Sequence, residues 1–332
     1  MIPSVAFVCP RCKGPIGACT DEYVCRACEQ RYPIVCGVPD FRLTPDPFIS
    51  VVDDRAKASH LFETGRERSF EQLVRYYYAI TPDDPPDLAE HWTRHHLAEA
   101  TIADQLLMAT QMLDGQGRAL LDLGCSTGGM VVAAARWGWN AVGIDVALRW
   151  LVIGRVRLAE AGVSQPLVCA NAEHLPFASE TVDAVTANDL LEHSGHPQAV
   201  LDEARRVCAV GARVVFTGNN RYAPLPEPQL RIWGVTQLPR RWQAGYVARQ
   251  RPDVHRYRVL VPSARELQRM LTRARFGSVE VEPAPLLAPH WSPGAGTRLL
   301  LVYNGVRRLP VIRSLLRLIG PRLLARASAR AR

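Results

Sequence analysis

From Arg118 onward, short apolar runs alternate with longer stretches whose apolar residues recur every three or four positions. The runs "RALLDLG" (118–124), "NAVGID" (140–145), "PLVCAN" (166–171), "VDAVTAND" (182–189) and "ARVVFTGN" (212–219) have the length and residue types of strands. Between them, "GGMVVAAARWG", "ALRWLVIGRVRLAEAG" and "HPQAVLDEARRVCAVG" have helical spacing and close on a glycine. This alternation predicts an α/β domain: a mostly parallel sheet with helices on both faces. "SARELQRMLTRARFG" continues it as a helix, and "SVEVEPAPLL" (278–287) and "TRLLLVYNG" (297–305) are expected to be the last two strands.

Outside that core the pattern changes. "FEQLVRYYYAITPDDPPDLAEHWTRHHLAEATIADQLL" predicts helices interrupted by a Pro/Asp turn. The stretch 219–262 is long for a connection and rich in Pro, Trp and Arg, which marks a functional insertion. At the end, Pro310 suits a helix start and Gly320-Pro321 a stop; Val311, Ile312, Leu315, Leu316 and Ile319 follow helical spacing, with Arg313 and Arg317 on another face. Expected boundaries are a metal-binding segment at 1–45, a helical cap and linker at 46–117, the α/β domain at 118–303 and a basic amphipathic tail at 304–332.

Charge sharpens the picture. The net charge is +8, but residues 205–332 hold 24 Lys+Arg against 5 Asp+Glu, while the preceding 204 residues are net acidic. So basic a region seeks an anionic partner: phospholipid headgroups, RNA, a phosphorylated substrate or the acidic half of the chain itself. The tail helix suits either an anionic bilayer surface or packing on the protein's own domain, and its aliphatic face counts against RNA. No apolar run approaches the ~18 residues of a membrane span, and the first residues lack the basic and apolar regions of a secretion signal. The expected location is therefore the cytoplasm, with peripheral contact at the inner face of the membrane.

Four cysteines fall in two Cys-x-x-Cys turns, Cys9/Cys12 and Cys25/Cys28. Four thiolates at this spacing suit a closed tetrahedral zinc site, and disulfides suit a reducing compartment poorly. The segment Val8 to Phe41, "VCPRCKGPI…YVCRACEQRYPIVCGVPDF", resembles the short zinc ribbons that act as activator subunits of tRNA, rRNA and release-factor methyltransferases. It departs from them in carrying Cys36 where many have a charged residue.

The turn "LDLGCSTGG" lets the backbone pass close to a ligand at Gly124 and Gly128, and the helix that follows presents free N–H groups. Asp145, 21 residues past Gly124, stands where a carboxylate can accept from a ribose diol. The G-x-G-x-x-G spacing of nicotinamide enzymes is missing. Taken in order, "LDLGCSTGG", "GID", "NAEHLPF" and "VDAVTANDLLEH" resemble class I S-adenosylmethionine-dependent methyltransferases, in particular the branch acting on small molecules and lipids. The resemblance implies a Rossmann-like fold with a seven-stranded, mostly parallel sheet, preceded by the zinc ribbon and a helical cap. It implies S-adenosylmethionine as cofactor, held by Asp122, Gly124, Cys125, Ser126 and Gly128 under its methionine and ribose. Asp145 and Val146 would meet the ribose, Asn171 and Ala172 the adenine, and Asn188 the methionyl group. Asn171 replaces the usual Asp, and Ser126 a common Gly.

Methyl transfer from a sulfonium mainly needs alignment and exclusion of water; a base is needed only for an acceptor that must lose a proton. His193 and Asp189 are the candidates for that work. Tyr76, Tyr77, His95 and His96 in the cap, with Asn219 and Tyr222 after the fifth strand, are candidate substrate contacts. The expected acceptor is a small molecule or a lipid- or glycan-linked compound. Two alternatives stand beside it: an RNA methyltransferase gripping RNA through ribbon and tail, and a non-catalytic partner protein that retains the cofactor.

Overall fold

In the computed structural model the described residues are 7–81, 86–227, 230–252, 259–287 and 295–331. A small antiparallel sheet comes first: β1 (Ile16–Ala18), β2 (Glu22–Cys25), β3 (Arg31–Val35) and β4 (Val38–Pro39). Helices α1 (Val51–Thr64), α2 (Phe70–Ala79) and α3 (Pro86–Ala109) follow. Ser50 caps α1, and Ser69 caps α2 with Gln72 reciprocating, so the starts of these two helices are fixed by local polar pairs.

The main sheet contains β5 (Ala119–Leu123), β6 (Asn140–Asp145), β7 (Leu167–Cys169), β8 (Val182–Asn188), β9 (Cys208–Asn219), β10 (Phe276–Pro283) and β11 (Arg322–Ala329). Its order is β10-β11-β9-β8-β5-β6-β7, parallel throughout except for β11, which runs antiparallel to both neighbours. The helices α4 (Gly129–Arg136), α5 (Leu148–Glu160), α6 (Pro197–Val207), α7 (Arg240–Gln250), α8 (Ala264–Arg273), α9 (Ala295–Val306) and α10 (Pro310–Ile319) complete the chain. Every residue of β5 is buried, because β5 is central and covered on both faces. One face packs on α1 to α5 through residues such as Leu61, Leu107, Val131 and Leu151. The other packs on α6 and α8 and continues into the ribbon through Tyr32, Phe41, Val168 and Phe177.

This is the expected seven-stranded Rossmann-like architecture, with one reassignment. The run 297–305, read from sequence as the last strand, lies within helix α9, and the seventh strand is β11, inside the segment expected to be a basic tail. The boundary expected at 303/304 therefore does not end the sheet. The reason is long-range: β11 fits between β9 and β10, where Leu323, Leu324 and Ala325 are buried, and its arginines find acids elsewhere in the fold. The insertion between β9 and α8 carries α7 and a small core of Ile232, Val235 and Val247; its residues 228–229 and 253–258 lie outside the described residues.

Candidate functional site

Strand order reverses between β5 and β8, and the chain's candidate chemistry gathers at their carboxyl ends, where open α/β sheets hold ligands. The loop after β5 takes left-handed backbone at Gly124 (φ +73°), Ser126 (+50°) and Gly128 (+77°). A Cβ on Gly128 would meet Leu158 Cδ1 at 2.8 Å, so this position admits only glycine without movement. Ser126 adopts the same conformation with a side chain, and its partners hold it there: its N–H donates to Asp145 Oδ2 (2.9 Å) and its hydroxyl to Glu99 Oε1 (2.8 Å). Cys125 contributes only backbone to the loop, since its thiol is buried beneath it against Gly143.

Glu99, which sequence reading missed, is the hub under this loop. Its carboxylate accepts from Ser126, from Thr127 Oγ1 (2.5 Å) and from Arg157 Nη1 (2.7 Å), and meets His96 Nδ1 at 2.9 Å. Burial raises its pKa, but Arg157 and His96 outweigh that and hold it well below the usual carboxylate range. The cap helix α3 is thereby bolted to the loop by charge-assisted bonds.

Asp145 ends β6. Its Oδ1 accepts from Ala147 N (2.8 Å) and its Oδ2 from Ser126 N, leaving one lone-pair direction per oxygen for a diol. Asp122 is buried on β5 and accepts from Thr186 Oγ1 (2.7 Å); burial pushes its pKa up to about 8. Asn171 and Ala172 follow β7, and Asn171 is already engaged: its Oδ1 accepts from Leu43 N (2.8 Å) and Thr44 N (3.1 Å), and its Nδ2 donates to Thr44 O (3.2 Å) and Oγ1 (2.9 Å). An Asp could still accept from the Thr44 hydroxyl but could not donate to the Thr44 carbonyl, so an amide at this position has a structural cause in the strap that joins ribbon to cap. Next to it, Arg42 pairs with Asp40 and Asp54 and donates to Val146 O (3.0 Å), while Arg149 pairs with Asp46 and Asp54.

At the far side of the switch point, Asn188 ends β8 and Asp189 takes a left-handed conformation (φ +54°). Arg322, the first residue of β11, contacts both oxygens of Asp189 at 2.8 Å. Burial would raise the Asp189 pKa, and Arg322 overcomes it and keeps the carboxylate charged. His95 and His193 feel the Asp189 charge, yet burial lowers the pKa of both, so each is a neutral imidazole near pH 7. Glu192 is buried beside them: Oε1 accepts from Asn219 Nδ2 (3.0 Å), while Oε2 has no partner among the described residues. Burial first, and Asp189 second, raise its pKa to about 7.

The structure thus brings together Asn188, Asp189, His193, His95 and Asn219, and adds Arg322 and Glu192. Four other candidates sit elsewhere. Tyr76 pairs with His60 of α1 (2.7 Å), and Tyr77 is packed on Tyr78 and Trp150. His96 belongs to the Glu99 hub and stacks on Trp150. Tyr222 lines a surface groove between α8 and α10.

Because its pKa is raised, Glu192 gains a proton on folding. Its contribution to stability is complete below its ordinary pKa of 4.5 and is lost as pH rises through about 7. Glu192→Gln, a mimic of the protonated form, is expected to melt higher than the wild type at pH 8 and to flatten the fall in melting temperature between those two values. Unchanged pH dependence in differential scanning calorimetry would contradict this environment for Glu192.

In the ribbon, the sulfurs of Cys9, Cys12, Cys25 and Cys28 all lie within 4.8 Å of one another, with Cys9–Cys28 at 3.7 Å and Cys12–Cys25 at 3.5 Å. Metal–sulfur bonds of ~2.3 Å at tetrahedral angles require edges of about this length. Against burial, the N–H groups of Cys28 and Ala27 (both 3.4 Å) help to hold the Cys25 thiol down at about 6, a thiolate near neutral pH. All nine cysteines are unpaired, and Cys36 lies apart, 3.8 Å from Ser59.

A family model described as a methyltransferase domain matches residues 121–216. The chain is 31% identical over 172 residues to the ubiquinone/menaquinone biosynthesis C-methyltransferase of Ralstonia pickettii, covering 49% of this chain and 69% of that protein. It is 36% identical over 106 residues to the ubiquinone biosynthesis O-methyltransferase of Hahella chejuensis, covering 32% of this chain and 44% of that one. Among solved structures, a possible histamine N-methyltransferase of Thermotoga maritima is 16% identical with a TM-score of 0.47, over 74% of this chain and 95% of that one.

Proposed function

The chain belongs to the class I S-adenosylmethionine-dependent methyltransferases, and on that premise we propose that it methylates a small-molecule or lipid- or glycan-linked acceptor held over the carboxyl ends of β8 and β9. The observation that carries this reading is the cluster of Asn188, Asp189, His193, His95 and Arg322 at that end of the sheet, beside the loop that would hold the cofactor. Relatives named for ubiquinone and menaquinone biosynthesis support the acceptor class.

S-adenosylmethionine, when bound, supplies a methyl group already activated on a sulfonium. Gly124, Ser126 and Gly128, with the Cys125 backbone between them, would cradle its methionine and ribose; Asp145 would accept from the ribose hydroxyls, and Val146 and Ala172 would flank the adenine. Asn171 would border the adenine from its bonds to Thr44, and Asn188 would meet the methionyl group. For a hydroxyl acceptor, His193 takes the proton, since burial keeps its imidazole neutral, and Asp189 stabilises the imidazolium that forms. Arg322 keeps Asp189 ionised for that role. The insertion 219–262 closes over the acceptor; its return segment is tied to the site by Leu260 N donating to Glu192 O (2.8 Å). The ribbon, residues 1–45, holds a structural zinc ion on its four thiolates, which requires a reducing compartment such as the cytoplasm. A lipid-linked acceptor would be met at the inner face of the membrane.

The test is transfer of label from methyl-labelled S-adenosylmethionine into an extract of the source cells, fractionated into lipid, small molecules, RNA and protein. Label in the lipid or small-molecule fraction is expected. Label confined to RNA or protein would overturn the acceptor assignment.

A further inference from the structure

Among the described residues, nothing covers the outer side of helix α10. None of its ten residues is buried, although Val311, Ile312, Leu315, Leu316, Leu318 and Ile319 are aliphatic. Val311, Leu315 and Leu318, at i, i+4 and i+7, form one outward stripe and are 83%, 53% and 59% exposed. The chain leading into it is similar: Leu301, Val302 and Leu309 are also exposed. A stripe of this kind on a water-facing helix costs free energy unless something covers it.

The charges flanking the stripe are of one sign. Arg308, Arg313 and Arg317 are exposed, and Arg265 and Arg269 of α8 line the adjoining groove with Arg317 and Leu318. No acid occurs between Arg307 and Arg332; the acidic contacts here, Glu282 and Glu266, are already paired with arginines. Aliphatic side chains flanked by arginine match an anionic bilayer, whose acyl boundary takes the first and whose headgroup phosphates take the second. RNA would leave the aliphatic stripe uncovered.

Position adds a second argument. The last carbonyls of α10, those of Arg317 and Leu318, are held by Asn220 Nδ2 at the carboxyl end of β9 (3.4 and 3.1 Å). Four residues beyond Leu318, Arg322 grips Asp189 in the acceptor cluster. The stripe and the acceptor end of the sheet are thus joined by one short, hydrogen-bonded segment.

We propose that α10 is a docking helix that lies on an anionic phospholipid surface, Val311, Leu315 and Leu318 in the lipid and the surrounding arginines against headgroup phosphates, so that the acceptor end of the sheet opens at the bilayer. Docking itself needs only this surface; its use in catalysis rests on the acceptor being lipid-linked, as proposed above.

The experiment is co-sedimentation of the full chain with vesicles of phosphatidylcholine alone or mixed with phosphatidylglycerol. Binding to the anionic vesicles only, weakening as salt is raised, is expected. Leu315→Asp with Leu318→Asp should lower the partition coefficient at least about tenfold, and Arg308→Gln about fivefold, with melting temperature and S-adenosylhomocysteine binding unchanged. No binding to anionic vesicles, or binding insensitive to these variants, overturns the proposal. So does a dimer by light scattering that the Asp pair dissociates, since a second copy would then cover the stripe, or capture by RNA in preference to vesicles. Vesicle binding combined with label only in RNA would sink the acceptor assignment and leave the docking helix standing; lipid label without vesicle binding would do the reverse.

Discussion

Stripping the ribbon with a chelator, or replacing Cys25 with serine, is expected to unfold residues 7–41 and to lower the melting temperature of the entire chain. The ribbon's own strands are two to five residues long and its apolar interior is small. Structural zinc supplies about 10–16 kcal/mol in comparable segments, far more than such a core can. The ribbon is also not an independent bead. Phe7 sits 5.7 Å from the Phe177 ring and 5.2 Å from Phe41, and Cys9, Cys25 and Tyr32 belong to the same buried cluster as Val168 and Leu175 of the main domain. Exposure of that face should remove at least ~3 kcal/mol, or about 5–10 °C in the melting temperature. Calorimetry with and without chelator, beside metal analysis of the purified protein, checks it. Absence of bound metal together with a chelator-insensitive transition would remove the metal site.

Substitution of Asp145 is expected to have the second largest effect, on cofactor affinity. A carboxylate accepting from two ribose hydroxyls makes two charge-assisted bonds of ~1.5–3 kcal/mol each, so Asp145→Ala should weaken S-adenosylhomocysteine binding by about 10²–10⁴-fold. Asp145→Asn will not rescue it. Both oxygens already accept from backbone, Ser126 N and Ala147 N, and an amide nitrogen in either place would confront a donor with a donor. The asparagine variant is therefore expected to lose melting temperature as well as affinity. Isothermal titration decides the matter; an affinity within a few-fold of wild type in both variants would mean that Asp145 serves only to hold the loop.

What could be read from sequence, and what could not, divides by distance along the chain. The glycine turn, Asp145 and the paired Cys-x-x-Cys turns are local patterns whose chemistry requires their spacing, and each lies where that spacing put it. The sheet up to β9 was legible for the same reason. The seventh strand was not. Arg322 and Arg326 made 322–329 look like part of a basic amphipathic tail, and only the fold supplies Asp189 and Glu282 as their partners. The run at 297–305 has an apolar centre, Leu299 to Tyr303, and apolar runs that short do not distinguish strand from helix. Glu99, in "HHLAEAT", has an ordinary helical setting; its four bonds come from residues at 96, 126, 127 and 157. Asn171 was noticed as a departure from its relatives, but the strap that uses its amide could not be inferred.

Among the described residues, β7 is the last strand at its side of the main sheet. β7 is three residues long, and the ribbon's exit lies along it: Asp40 pairs with Cys169 as a single parallel bridge, and Phe41 N donates to Cys169 O at 2.7 Å. An uncovered parallel edge is a template on which another molecule's strand can add. The ribbon's exit thus covers that edge against self-association, and a chain whose ribbon is unfolded would be expected to gather into aggregates through it.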